Sequence, residues 1–136
     1  MYALTIWQPW ASLIACGAKR YETRSWAAPH RVIGQRLAIH AGLRGLRRSE
    51  LGYPLAALRE YGLDYRDLPR GVVVATAYVV ACLRTCDPPK YIPWQERLLG
   101  DWSPGRWAWQ LEDVVQVEPS KVRGAQGLWI WREKGD

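Results

Sequence analysis

Apolar and alternating stretches along the chain predict a protein built mainly from short strands. Stretches that are apolar or that alternate as strands do occur in six places, namely residues 2–6, 20–26, 36–41, 70–83, 105–117 and 127–132. The segment 70–83 (RGVVVATAYVVACL) is apolar on both faces, which predicts a central strand that is covered on both sides.

A short amphipathic helix is predicted directly after the first strand, within WQPWASLIACGAK. Pro9 suits the first turn of a helix, because the N–H that proline lacks would have no partner there. Gly17 predicts the end of the helix. The apolar stripe, which we expect to face a core, is formed by Trp10, Leu13 and Ile14.

Two longer segments show little regular periodicity. Residues 43–61 are predicted to form a helical or partly helical excursion that is broken near Gly52 and Pro54. Residues 87–104 hold four of the nine prolines, and we expect a long loop there with one helical turn over residues 94–99. Long loops in compact domains are often binding loops, so this segment is of functional interest.

The order of these segments predicts an α+β fold, a small mixed β-barrel with flanking short helices. The length of 136 residues suits a single domain, residues 1–136. Closing a sheet into a barrel leaves a cleft in which a ligand can bind. No apolar run approaches the ~20 residues of a membrane span and the beginning of the chain does not resemble a secretory signal, so we expect a cytoplasmic protein without membrane contacts.

The charge and the aromatic content favour an anionic partner. The formal net charge is +6, and most of the positive charge is arginine, which forms forked contacts with phosphate and stacks on bases. A solvated basic surface would explain the charge equally well. Nine Trp, seven Tyr and no Phe suit both a core and a stacking pocket. Three irregularly spaced cysteines and two histidines predict neither a disulfide framework nor a metal site, and no cofactor is expected.

Charged residues share one face of the strand that is predicted at 20–26. That face carries Arg20, Glu22, Arg24 and Trp26, and the opposite face carries Tyr21, Thr23 and Ser25. Charged side chains rarely point into an apolar core unless they are paired. We therefore expect the charged face to line a polar cleft.

The segment LTIWQPWASLIACGAKRYETRSW resembles the opening signature of ASCH domains, which combine a short strand, a QPW-type helix start, a Gly before a Lys and a strand with Glu, Arg and Trp. Later segments are similar to strands of the same family: LAIHAG, GVVVATAYVVAC, GRWAWQLED and GAQGLW. The resemblance covers nearly the whole chain and implies a PUA-like β-barrel with a cleft between the first helix and the barrel. It also implies RNA or a nucleotide-like molecule as the ligand.

The resemblance implies that the cleft is lined by Gln8, Trp10, Lys19, Glu22, Arg24, Ser25 and Trp26. Gln8 could read a base edge or cap the helix. Lys19 could bind an anion or complement the helix dipole. Trp26 offers a flat surface on which a base can stack, whereas Trp10 belongs to the core by its spacing.

Two further points concern charged and titratable groups. Glu22 and Arg24 could form a structural ion pair, or Arg24 could bind a phosphate while Glu22 accepts from a base or a ribose hydroxyl. His40 is the titratable candidate near neutral pH, although a structural histidine is the simpler interpretation.

The sequence leaves two main classes of function open. One is a binding module for RNA or a nucleotide. The other is a hydrolase, either a ribonuclease or an enzyme similar to the N4-acylcytidine amidohydrolases of this superfamily, which use a Lys and a Thr three residues later. Here Lys19 is present, but Glu22 stands at the Thr position. Glu22 could serve as a general base for water while Lys19 polarises a carbonyl group. A protein-interaction adaptor is a third possibility.

Overall fold

The computed structural model of the chain describes residues 1–88 and 91–133. Strands within these residues are β1 (Tyr2–Gln8), β2 (Tyr21–Arg24), β3 (Arg36–Gly45), β4 (Val72–Arg84), β5 (Trp107–Lys121) and β6 (Leu128–Ile130). The α-helices are α1 (Trp10–Ala15), α2 (Tyr53–Glu60) and α3 (Trp94–Arg97). Each of the segments predicted as a strand overlaps one of these strands, which confirms the element order that the hydrophobic pattern predicts.

The strands form one mixed sheet in the order β2-β5-β4-β3-β1-β6. β1 runs parallel to β3, and the other neighbouring pairs are antiparallel. β4 pairs with β3 on one side and with β5 on the other, and its residues 72–77 are all buried. These features confirm the predicted α+β fold and the central position of the apolar strand.

The predicted closure of the sheet into a barrel is wrong. In the described residues, β2 and β6 are the two edges of the sheet and do not pair with each other. The backbone N–H groups of Arg20 and Tyr21 both donate to Oε1 of Glu96 at 2.9 Å. A side chain therefore provides the hydrogen-bond acceptor for the backbone at the beginning of β2. β1 and β2 do not pair with each other in the described residues, which leaves a gap between them. Nη2 of Arg24 reaches across this gap and donates to the Thr5 carbonyl oxygen in β1 at 2.9 Å.

Apolar side chains on both sides of α1 form two main cores. The larger core lies between α1 and the sheet and includes Leu4, Ile6, Ile14, Leu37, Ile39, Val79 and Trp109. The second core lies beneath α2 and includes Leu13, Leu51, Leu58 and Leu99. Because Leu99 follows α3 and is buried in this second core, the chain after α3 is fixed to the body of the protein.

The bounds of α1 follow from the residues on either side of it. The Ser12 N–H in the first turn donates to Oε1 of Gln8 at 3.0 Å. Gly17 has a φ of 89°, a conformation that favours glycine, and this confirms the predicted helix end. The chain then turns back, so that the Lys19 N–H donates to the Leu13 carbonyl at 3.0 Å. This turn places Lys19 beside the end of α1.

The helical excursion predicted at 43–61 differs from the structure in its bounds. β3 continues to Gly45, and α2 begins only at Tyr53. Pro54 lies in the first turn of α2, where a proline removes no hydrogen bond. Pro54 therefore lies at the start of a helix. A 3-10 turn at Arg48–Glu50 precedes α2, so the partly helical character and the break near Gly52 are confirmed.

The helices are short throughout the described part of the chain. The helical turn predicted within 87–104 is confirmed by α3, and residues 89–90 of that loop lie outside the described residues. The eight residues of α2 are far fewer than the ~20 that a transmembrane helix needs. None of the helices in residues 1–88 and 91–133 is long and apolar enough to cross a membrane.

Candidate functional site

A cavity of about 560 Å³ lies in the gap between β1 and β2. Its walls come from the end of β1, the start of α1, β2 and the segment 98–106. Cavities that bind small ligands are commonly ~300–1,000 Å³, so a small organic molecule has room here. Six of the residues predicted to bind a ligand line the cavity, and they are Trp10, Lys19, Glu22, Arg24, Ser25 and Trp26.

The ammonium group of Lys19 lies at the most buried end of the cavity, and 1% of this residue is exposed. Nζ donates to the Leu99 carbonyl oxygen, lies 3.9 Å from Oε1 of Glu22, and lies 5.6 Å from the centre of the Trp10 ring. Burial lowers the pKa of Lys19, and the carboxylates of Glu22 and Glu96 oppose this decrease. A buried ammonium with a shifted pKa inside a cleft is typical of functional sites.

Glu22 and Arg24 form the ion pair that the sequence left as one of two alternatives. Nε of Arg24 lies 3.1 Å from Oε2 of Glu22. The Nε–H does not point at the carboxylate, so within the described residues this contact is ionic and is not a hydrogen bond. The Glu22 carboxylate therefore lies between two cations, the Lys19 ammonium and the Arg24 guanidinium.

The segment after α3 forms a wall of the cavity, a position that the sequence did not predict. Oγ1 of Thr23 accepts a hydrogen bond from the Asp101 N–H at 3.0 Å. The rings of Tyr21 and Trp102 meet edge to face with their centres 5.5 Å apart. Together with the two bonds that Glu96 accepts from the beginning of β2, these contacts attach the wall to β2.

Gly100 allows this wall to approach β2 closely. A Cβ atom at Gly100 would lie 3.0 Å from Oγ1 of Thr23 and 3.2 Å from Nζ of Lys19. These distances are shorter than ordinary contacts between nonbonded heavy atoms. A side chain at this position would therefore press on the most buried end of the cavity.

Arg106 is a cavity residue that the sequence analysis missed. Its Nη2 donates to the Thr23 carbonyl at 3.4 Å, and its Nε lies 3.4 Å from Oδ2 of Asp101 without an aligned hydrogen bond among the described residues. Arg24 pairs with Trp107 in the β2–β5 ladder, which brings Arg106 next to Arg24. The pairing register is the signal that would have identified Arg106, and a single sequence does not provide it.

Three indole rings line the cavity: Trp7, Trp10 and Trp26. The Trp26 ring packs edge to face on the buried Trp109, with ring centres 5.1 Å apart and planes at 89°. Trp7 is 45% exposed, and the Arg44 guanidinium lies 6.0 Å from its ring centre. Trp10 packs against the core, as its helical spacing predicts, and also lines the cavity.

Gln8 lies outside the cavity lining and is completely buried. Its Oε1 accepts from the Ser12 N–H, while Nε2 donates to Oγ of Ser12 at 2.7 Å and to the Pro69 carbonyl at 2.8 Å. Through these hydrogen bonds the Gln8 amide caps the start of α1 and connects it to the segment before β4. Of the two roles weighed for Gln8, the structure places it in the capping role.

His40 also lies outside the cavity lining. Nε2 of its ring lies 2.7 Å from the Val122 carbonyl, and Nδ1 lies 3.0 Å from Oγ1 of Thr5, which accepts from Nε1 of Trp129 at 3.0 Å. The Val122 carbonyl can only accept a hydrogen bond, so Nε2 carries a proton. Burial lowers the pKa of His40, in keeping with a neutral ring. His40 is thus tied to the strands and does not face the cleft.

The fold and the cleft define a small α+β domain in which an unclosed mixed sheet leaves a cavity lined by charged and indole side chains. The chain belongs to the ASCH domain family, whose sequence profile matches residues 4–123. The resemblance read from the opening segment is therefore confirmed.

Curated relatives include activating signal cointegrator 1 from Mus musculus, 35% identical over 85 residues, and from Homo sapiens, 36% identical over 86 residues. Each alignment covers 60% of this chain but 14% of the relative, so the chain spans only a small part of those proteins. Among solved structures, ASCH from Zymomonas mobilis is similar with a TM-score of 0.56 and 18% identity, covering 98% of this chain and 87% of that chain. At this identity the similarity shows the fold alone.

Proposed function

We propose that the cleft binds RNA or a nucleotide-like ligand. The observation that carries the proposal is a buried Lys19–Glu22 pair beside indole rings in a cavity of about 560 Å³. Among the described residues that line the cavity, the cations outnumber the carboxylates; the cations are Lys19, Arg24 and Arg106, and the carboxylates are Glu22 and Asp101. Attraction of phosphate, stacking of bases and hydrogen bonding to exposed base edges are what a single-stranded ligand requires.

Three side chains of the cavity have specific roles in this proposal. The Glu22 carboxylate accepts hydrogen bonds from an amino group of a base or from a ribose hydroxyl. The Lys19 ammonium, which already has the Leu99 carbonyl as a partner, donates a further hydrogen bond to an acceptor on the base. Trp26, held by its edge-to-face contact with Trp109, provides a stacking surface.

The proposal is tested by binding of a fluorescein-labelled single-stranded RNA, followed by fluorescence anisotropy between about 50 mM and about 200 mM salt. We expect the affinity to decrease as salt increases, because phosphate contacts release counterions. We also expect weaker binding in Lys19→Ala and Glu22→Ala. The control is Arg66→Gln, because Arg66 is an exposed arginine paired with Asp64 outside the cavity. An RNA affinity that changes neither with the salt concentration nor in the two cleft variants would contradict the proposal.

A hydrolase is the second candidate, and the contact between Lys19 and Glu22 is the observation that favours it. A carboxylate 3.9 Å from a buried ammonium could accept a proton from water while the ammonium polarises a carbonyl or phosphoryl oxygen. Because Glu22 replaces the Thr of the amidohydrolase pattern, water would be the nucleophile. His40 lies outside the cavity lining, so Glu22 is the base candidate for ribonuclease chemistry also.

The two candidates are separated by looking for products. The protein is incubated with N4-acetylcytidine and with single-stranded RNA, and the mixtures are analysed by chromatography and mass spectrometry. Turnover that disappears in both Lys19→Ala and Glu22→Ala would favour the hydrolase. Tight binding of RNA without any product would favour the binding module.

A further inference from the structure

The charged groups of the cavity lie at different depths. The side chains of Lys19 and Glu22 are 1% and 10% exposed, whereas those of Arg24 and Arg106 are 25% and 28% exposed. Asp101, beside Arg106, is more than half exposed. The cavity therefore has a deep end with the ammonium and the Glu22 carboxylate, and a mouth with two guanidinium groups.

The two ends also differ in their balance of charge. At the deep end the Lys19 ammonium interacts with two carboxylates, Glu22 in the cavity and Glu96 behind its wall. At the mouth two guanidinium groups have two carboxylate neighbours: Glu22, 3.1 Å from Nε of Arg24 and shared with Lys19, and the exposed Asp101, 3.4 Å from Nε of Arg106. A ligand phosphate is repelled by buried carboxylates and forms strong hydrogen bonds with guanidinium groups. An anionic group of the ligand is therefore favoured at the mouth, and groups that donate hydrogen bonds are favoured at the deep end.

The geometry of the mouth fits an oxyanion. Nη2 of Arg24 donates to the Thr5 carbonyl and Nη2 of Arg106 donates to the Thr23 carbonyl, which orients both guanidinium groups. A guanidinium has five N–H donors, so each retains donors for a ligand. The exposed Ser25 lies on β2's C-terminal side, lines the same cavity and carries a hydroxyl. Forked donors held in place by backbone carbonyls suit the planar recognition of a phosphate.

We infer that the ligand is a phosphorylated nucleoside that enters base first, with its phosphate held at the mouth by Arg24 and Arg106. The inference rests on the proposed function and adds to it the chemical class and the orientation of the ligand. The base then lies against the Lys19–Glu22 pair, and the phosphate stays near solvent. In an RNA chain only an unpaired nucleotide can bind in this way, because a paired base is not free to enter a cavity.

The test uses isothermal titration calorimetry of the full chain with the four ribonucleosides and their 5′- and 3′-monophosphates. For the base that fits, we expect at least one monophosphate to bind about ten-fold more tightly than the nucleoside, which corresponds to one charge-assisted hydrogen bond. In Arg106→Gln the ratio of monophosphate affinity to nucleoside affinity should fall from about ten to about two or less. Arg106→Lys keeps the charge without the fork and should recover only part of the advantage.

The matched control is Arg84→Gln. Arg84 is an exposed residue of β4 that lies over the Trp107 ring, 5.3 Å from its centre, and it is outside the cavity lining. If Arg84→Gln and Arg106→Gln weaken monophosphate binding equally, the effect is general attraction and the inference is overturned. If nucleosides bind as tightly as monophosphates, the inference is overturned while the proposed function stands. If neither form of any base binds, the inference is overturned, and the RNA titration described above decides the proposed function separately.

Discussion

The Lys19 ammonium lies 3.9 Å from the Glu22 carboxylate at a depth where almost none of the lysine is exposed. Taking both charges out of water costs free energy that their attraction only partly returns. Burial lowers the pKa of Lys19 although two carboxylates oppose the change, so desolvation is the larger effect. A pair with this balance contributes little to stability, which is consistent with a role towards a ligand.

Replacing Lys19 with Met should make the stability difference from the wild type depend on pH. Because the native pKa of Lys19 is lowered, the unfolded chain binds more protons at this site between that pKa and the ordinary value of about 10.4. The wild type therefore gains stability as the pH rises through this window, and Lys19→Met lacks the gain. Urea denaturation at about pH 8 and about pH 10 should show a growing difference in favour of the wild type. A constant difference would contradict the lowered pKa.

Glu96→Ala should weaken the attachment of the cavity wall. The substitution removes the acceptor of the Arg20 and Tyr21 N–H groups and should cost about 1–3 kcal/mol of unfolding free energy, measured with urea. Glu96→Gln keeps an oxygen at this position, and we expect it to cost less than half as much. The exposed Glu60 in α2 provides the control, since Glu60→Ala should change stability by no more than about 0.5 kcal/mol. Equal effects of all three variants would refute the anchoring role.

Trp26 should contribute to RNA affinity by stacking of its flat ring on a base, and not by the apolar volume of its side chain. Stacking of a base on an aromatic ring is worth about 1–3 kcal/mol, so Trp26→Leu should weaken RNA binding by about five-fold to a hundred-fold or more. Trp26→Phe keeps a flat ring and should retain most of the affinity. Both variants are compared by fluorescence anisotropy after thermal melts have confirmed that they are folded. An equal loss of RNA affinity in Trp26→Phe and Trp26→Leu would argue against stacking.

Gly124→Ala should destabilise the protein through the His40 network. A Cβ at this position would lie 2.5 Å from Oγ1 of Thr5 and 2.7 Å from Cε1 of His40. Overpacking of this kind typically costs about 1–3 kcal/mol, which thermal and urea denaturation can measure. Gln126→Ala, at an exposed site two residues away, should be nearly neutral. If the stability of Gly124→Ala is unchanged, the backbone around residue 124 can shift away from Thr5 and His40 at little cost in free energy.

The parts of the fold that depend on local patterns were predictable from the sequence. The continuous apolar run over residues 70–83 identified the central strand, and Gly17 identified the end of α1. The charged alternation over residues 20–26 predicted a strand with a charged face, and Glu22 and Arg24 of this segment line the cavity. Each of these signals lies within a few neighbouring residues.

The parts that depend on contacts between distant segments were not predictable. Arg106 lies beside Arg24 only because of the register between β2 and β5. The wall after α3 is held by Glu96, a residue whose sequence neighbourhood resembles any exposed helical turn. Closure of the sheet also depends on long-range pairing, and the prediction of a barrel was wrong for that reason.

The contact of Arg24 with the Thr5 carbonyl has a consequence for how this cleft can vary between related chains. In the described residues the Arg24 side chain reaches across the opening, so the width of the opening depends on side-chain conformation. In a closed barrel, strand number and shear would fix that width. Substitutions at the rim can therefore change the width of the entrance without breaking hydrogen bonds between the strands. We therefore expect related chains to differ in the size of the molecule that this opening admits.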